Sequence, residues 1–246
     1  RLFFSRPMLP MLSRTLRLSA LLLALSFAPT GDARPTVLPL HSPITLATTS
    51  ATAAPQTTAQ VIYDRSDEQE VERLLNDTSL RTSLDFARRL KGRPYVAATL
   101  EVADPERLVV NLRGLDCATL VETASALAMT RREGKRRFAD YCRNLERLRY
   151  FDGHVAGYTS RLHYLSFWMA DHLRRKTIEE VVLPTNLTQP LYIDLHYMSR
   201  HAESYPMLRN HPERVREIAR LERKYSGNVG RFIPKKNVDL SRNELG

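Results

Sequence analysis

The sequence predicts an α+β fold, with an N-terminal layer of helices packed on an antiparallel sheet built from later segments. Three observations carry that expectation. Between residues 66 and 148, apolar residues recur at helical spacing in four separate runs. After residue 180 come short β-branched or aromatic runs, at residues 181–183, 191–197 and 231–234, that read as strands. The hydrophobic fraction of 43% over 246 residues is enough for one packed core plus extensions.

The first element is not part of that core. Residues 1–33 read as an export signal. Arg14 and Arg17 precede an apolar run at residues 18–27, which is too short to span a membrane. Gly31, Asp32 and Ala33 offer small residues at a cleavage position, so cutting is expected after Ala33. The alternative reading of the run is a buried core helix. Met8 or Met11 is a more natural start than Arg1, and no Cys follows the run to take a lipid. The expected location is therefore periplasmic or secreted, with no membrane anchor once the signal is cut. Residues 34–60 are rich in Thr, Ala, Pro and Ser and carry almost no charge. Such a stretch cannot bury enough apolar surface to offset its ordering entropy, and it reads as a flexible leader. Residues 61–246 are then the folded domain.

Within the domain, Ser66 and Asp67 are expected to cap a helix with Val71, Leu74 and Leu75 on its inner face. Asp77, Thr78 and Ser79 break it. Leu80, Leu84, Ala87 and Leu90 continue at helical spacing until Gly92, Arg93 and Pro94 stop the run. Residues 95–101 are expected to be extended and to pass close to the next helix. Leu108, Val109 and Val110 form a short strand that leads into residues 111–122. There Asp116 has the chemistry of a helix N-cap, and Leu120, Val121, Ala124, Leu127 and Ala128 follow at helical spacing. Residues 130–135 read as a loop. The next helix has Phe138, Tyr141, Cys142, Leu145 and Leu148 on its inner face. Residues 161–173 read as a helix crowded with aromatics, and residues 212–225 as a charged amphipathic helix led by Pro212.

Charge and composition narrow the chemistry. The net charge is +10, of which residues 1–60 contribute +4 and the domain +6. A domain of mixed signs is a solvated surface with a mild bias towards anionic partners, not the basic stripe of a nucleic-acid binder. The run Lys135, Arg136, Arg137 flanks a helix of alternating charge and reads as solvated. No metal or other cofactor is expected: the two Cys are 25 positions apart, and neither His-Glu-x-x-His, Cys-x-x-Cys nor a Gly-rich phosphate loop occurs.

Cys117 is the candidate nucleophile. It follows the Asp116 cap, in the first turn of a largely apolar helix. Unpaired backbone N–H groups and the positive helix end favour a thiolate there. The competing readings are a small buried side chain, or a disulfide to Cys142, which an exported protein is able to form.

A wider pattern adds to this. Residues 90–101 (Leu-Lys-Gly-Arg-Pro-Tyr-Val-Ala-Ala-Thr-Leu-Glu) precede residues 108–122 (Leu-Val-Val-Asn-Leu-Arg-Gly-Leu-Asp-Cys-Ala-Thr-Leu-Val-Glu). Then come residues 149–154 (Arg-Tyr-Phe-Asp-Gly-His), residues 157–164 (Gly-Tyr-Thr-Ser-Arg-Leu-His-Tyr) with Trp168, residues 198–201 (Met-Ser-Arg-His), and Tyr205-Pro206. In this order, from about Asp85 to about Pro234, the chain resembles a bacterial amidase family of the NlpC-type papain-like superfamily, first filed as a domain of unknown function. The resemblance implies a papain-like fold and cleavage of the N-acetylmuramoyl-L-alanine bond in peptidoglycan fragments, with anhydro-muropeptides favoured. It implies Cys117 as nucleophile, Tyr95 as a phenol near the thiolate or the oxyanion with a core aromatic as its alternative, and Glu101, Arg161, His163, Tyr164 and His201 on the substrate side. Arg161 and Arg93 suit planar carboxylates, with a surface ion pair as the alternative for each. In the superfamily it resembles, the base His lies on a strand after the Cys helix, and in the amidase family it lies in a C-terminal segment with a His-x-Gly-like pattern. All seven His here lie at or before His211, so the chain is expected to be truncated at its C-terminus. Two other functions stay open: a muropeptide-binding module without turnover, and an endopeptidase cutting a D-glutamyl bond of the stem peptide.

Overall fold

A computed structural model of the protein describes residues 61–180, 182 and 184–238. The expected signal run and leader lie outside them. So does most of the expected strand at 181–183; Val182 is described, exposed and not in a strand.

The chain enters through β1 (Val61–Ile62), which pairs in parallel with β2 (Leu108–Val109). Between them lie α1 (Arg65–Asn76) and α2 (Ser83–Arg89). The α1 cap is Asp64 rather than Ser66: Asp64 accepts from the Ser66 N–H, and Asp67 accepts from the Asp64 N–H at 3.1 Å in return. Asp67 is buried and also accepts the Leu112 N–H at 2.9 Å, which ties α1 to the segment before the cysteine helix. Thr82 and Asp85 form the same reciprocal cap on α2. The two long helices that follow are α3 (Cys117–Arg132) and α4 (Phe138–Arg149). Helices α1 to α4 share one core that includes Val71, Leu74, Phe86, Leu127, Phe138 and Leu145.

The second half is built around smaller clusters. Helix α5 (Leu165–Arg174), the short α6 (Tyr197–Arg200) and α7 (Pro212–Tyr225) bury Phe167 and Leu221 in one cluster, and Met198, Leu208 and Ile218 with Tyr158 in another. Strands β3 (Gln189–Ile193) and β4 (Gly227–Phe232) pair antiparallel, Gln189 opposite Phe232 and Ile193 opposite Gly227, with an irregularity between Leu191 and Tyr192.

Helices with small sheets make this an α+β fold, as expected, but five expectations are corrected. The cysteine helix α3 packs on α4, α2 and α1, not on an antiparallel sheet. The strand expected over 191–197 ends at Ile193, and Tyr197 opens α6 instead. The helix expected from residue 161 starts at Leu165. Arg161 has extended backbone and bridges Tyr150, and the Leu162 N–H donates to the Arg149 carbonyl at 2.9 Å, so this stretch is held in a β-like pairing. Residues 95–101 are extended only at their start; a turn with Ala98 at positive φ brings Glu101 back towards Arg161. The loop expected at 130–135 also begins later, because α3 runs on to Arg132.

Candidate active site

Cys117 is the first residue of α3, and its thiol is free and exposed. The cap that sets it there was legible in the sequence. Asp116 Oδ1 accepts the Thr119 N–H at 2.7 Å, and the Asp116 N–H donates to Thr119 Oγ1 at 2.8 Å. Deeper in the helix, Glu122 accepts from Arg149 Nε at 2.7 Å, and Arg149 Nη1 donates to the Val109 carbonyl at 2.6 Å. Both cysteines are free, so the disulfide reading falls. Cys142 is core, 4% exposed, and burial pushes its thiol up to about 12.

Tyr95 comes alongside Cys117 through backbone pairing. It forms a parallel bridge with Leu115, and the Val96 N–H donates to the Leu115 carbonyl at 3.2 Å. Gly114 permits this approach: a Cβ there would meet Val96 Cγ2 at 2.6 Å. Tyr95 is 74% exposed, which excludes the core-aromatic reading. Tyr95 and Cys117 both line a pocket of about 530 Å³ between α2 and α3. Leu84, Ala87 and Leu120 give it apolar walls, and Arg88, Lys91 and Arg93 also face it. Its one carboxylate, Asp116, is engaged in the α3 cap. No histidine among the described residues lines it. Arg93 pairs with Glu70 at 2.8 Å, so the surface ion pair is made.

The remaining candidates form a second group. Arg161 is buried, with Nη1 donating to Glu101 at 2.9 Å and Nη2 to Glu106 at 3.0 Å. Its guanidinium lies 4.9 Å from the Tyr158 ring centre. Glu106 also accepts from the Tyr150 hydroxyl at 2.8 Å, and burial raises its carboxyl above the ordinary range despite Arg161. His163 lies against Tyr158, ring centres 4.5 Å apart and tilted by 44°, and donates through Nε2 to the Tyr158 carbonyl at 2.9 Å. Burial, with the nearby Arg161 charge, pushes it down to about 3, so it is neutral at ordinary pH. The Tyr164 hydroxyl donates to Glu222 at 2.6 Å and accepts the Met198 N–H at 2.9 Å. His201 donates through Nδ1 to the Tyr197 carbonyl at 2.9 Å and stacks on the Tyr197 ring. Glu101 Oε2, Arg161 Nε and the Tyr158 hydroxyl are buried without a hydrogen-bond partner among the described residues, so this group keeps unfilled polar capacity.

Sequence reasoning missed Arg88 and Lys91 at the pocket, and Glu106, Tyr150 and Glu222 in the second group. The basic residues could have been found, since they flank the Gly92 to Tyr95 stretch. The buried carboxylates carry no local signal. Among the described residues, no three His, Cys, Asp or Glu side chains gather so as to hold a metal ion, and no helix is long and apolar enough to cross a membrane.

Comparison with known proteins gives a consistent picture. Residues 85–244 match the model of a family described as AmiA-like, N-acetylmuramoyl-L-alanine amidase-like. A crystal structure of an N-acetylmuramoyl-L-alanine amidase from Bacteroides uniformis is similar at 29% identity, over 72% of this chain and 70% of that one, with a TM-score of 0.54. A second amidase structure from the same organism has 28% identity over the same shares and a TM-score of 0.55. A Bacteroides fragilis protein, provisionally named a xylanase, shares 39% identity over 62% of this chain, with a TM-score of 0.54; this chain covers 66% of its length, just under two thirds. A search of curated proteins finds no match.

Proposed function

Since the chain belongs to the N-acetylmuramoyl-L-alanine amidase-like family, we propose that it cleaves the amide between N-acetylmuramic acid and L-alanine in peptidoglycan fragments, with Cys117 as the nucleophile and anhydro-muropeptides as the favoured substrates. The observation that carries this reading is the exposed thiol at the start of α3, on the wall of a pocket it shares with Tyr95. A thiolate at that place attacks the lactyl carbonyl. The C–S bond forms, the C–N bond breaks, and the alanyl amine leaves carrying the proton that the thiol lost on ionising. Water then hydrolyses the thioester and restores the thiol. In this reading the Cys117 N–H, at the helix N-terminus, binds the oxyanion, and the Tyr95 hydroxyl donates to it; that both residues line the same pocket supports these roles. No base is assigned, because no histidine lines the pocket among the described residues. A papain-like fold and export to the periplasm or beyond complete the reading.

The test is to incubate the protein, purified from its native host, with anhydro-muropeptide and analyse the products. Release of sugar and L-alanyl peptide, abolished by Cys117→Ala, is the expected result. A shortened stem peptide would turn the reading to a D-glutamyl endopeptidase. Binding without any product would turn it to a muropeptide-binding module. For export, a mature N-terminus near Arg34 is expected on sequencing the secreted protein; one at or before Met11 would overturn it.

A further inference from the structure

In the amide that this reading assigns, the two sides differ in charge. The lactyl carboxyl of the sugar is consumed in the scissile bond, so the sugar side carries no ionised group. The peptide side carries carboxylates. The pocket between α2 and α3, which Cys117 lines, has the chemistry of the peptide side. Its walls include Leu84 and Leu120, and the basic residues Arg88 and Lys91 face it. Neither of these two makes an ion pair among the described residues. Asp85, whose carboxyl feels the Arg88 charge, is occupied by the Arg81 and Thr82 N–H groups of the α2 cap. Basic residues at the end of a helix also complement its dipole. Arg89 does that while pairing with Asp77 at 3.4 Å, so the dipole does not require Arg88 and Lys91 to face the pocket.

We infer that this pocket is the peptide-side subsite, and that Lys91 and Arg88 bind a carboxylate of the stem peptide while Leu84 and Leu120 take its aliphatic portion. This rests on the amidase reading above and adds the orientation: the peptide lies towards α2, and the sugar lies on the other side of Cys117. Lys91 and Arg88 are then specificity-determining residues that leave the bond-breaking groups untouched. The two charges act on one partly solvated carboxylate, so a several-fold preference is expected rather than an absolute one.

The test avoids turnover. Alkylation of Cys117 by iodoacetamide, a neutral reagent, is followed with and without L-alanyl-D-glutamate, and with the same dipeptide carrying carboxamides in place of both carboxylates. The acid dipeptide should slow alkylation roughly fivefold at a concentration where the diamide has little effect. In a Lys91→Glu/Arg88→Glu chain that difference should vanish, each variant being compared with its own rate without peptide. No protection by either dipeptide, equal protection by both, or unchanged discrimination in the double variant would each overturn the inference. Failure of the hydrolysis assay alone would overturn the amidase reading, yet a protection that depends on Lys91 and Arg88 would still show a carboxylate subsite.

Discussion

The two cysteines are one side chain in two environments. Cys117 is exposed at a helix start, whereas Cys142 is buried in the α3–α4 core and held protonated. Alkylation of the native protein should therefore modify Cys117 alone, and Cys142 should react only after denaturation. Equal labelling of both thiols in the native state would contradict this. His163 is the residue whose protonation best reports the fold. Its ordinary value of 6.5 is pushed down to about 3 by burial and by Arg161. Below about 6.5 the unfolded chain takes up a proton that the folded chain refuses, so the unfolded state gains. The stability that neutral His163 contributes is whole above that pH and is lost as pH falls towards 3. His163→Gln keeps an N–H donor for the Tyr158 carbonyl and has no proton to gain. Its melting temperature should fall less steeply than that of the wild type across this acid range. Identical slopes would show that His163 titrates freely.

At the scale of elements, the contact between residues 94–96 and 114–115 sets Tyr95 beside Cys117. Val96 is β-branched and stiff, and a Cβ on Gly114 would meet both its Cγ2 at 2.6 Å and its Cβ at 3.0 Å. Relief must come from the backbone that carries Tyr95. Gly114→Ala should cost about 1–3 kcal/mol in urea unfolding, the usual range for overpacking. Adding Val96→Ala removes the nearer clash and should recover part of the loss. A Gly114→Ala protein as stable as the wild type would show that the approach is loose. This contact also marks the limit of what the sequence discloses. The Asp116 cap, the Pro212 helix start and the inner face of α4 are local, three to four residues apart, and all are found where their spacing puts them. Cys117 was legible for the same reason, lying next to its cap, whereas Tyr95 was legible only through the family resemblance of residues 90–101. The two-residue strands β1 and β2 are too short to show a period. The Arg161 cluster joins residues 55 and 60 positions apart in the chain, and a lone Glu106 reads as solvated until the partner that buries it is known.

Across the molecule, buried ion pairs hold the layers that frame Cys117. Arg149 is 3% exposed; it reaches from α4 to Glu122 on α3 and to the Val109 carbonyl on β2. Taking two charges out of water costs several kcal/mol, and their attraction at 2.7 Å offsets that cost only while both remain. Arg149→Met should therefore destabilise the protein by about 3–5 kcal/mol, because Glu122 is left charged and unpaired in the core. Glu122→Met in the same chain removes the stranded charge. The double variant should regain most of the loss, short of about 1 kcal/mol for the Val109 carbonyl that no longer has its donor. Chemical denaturation of the two singles and the double measures the coupling directly. If the pair serves only to join α3, α4 and β2, the refolded double variant should still alkylate at Cys117 and not at Cys142, since the Asp116 cap and the Leu115 bridge are untouched. Additive losses in the double variant would mean that Arg149 and Glu122 stabilise the fold through separate partners, and that the α3–α4 joint is carried by the apolar core alone.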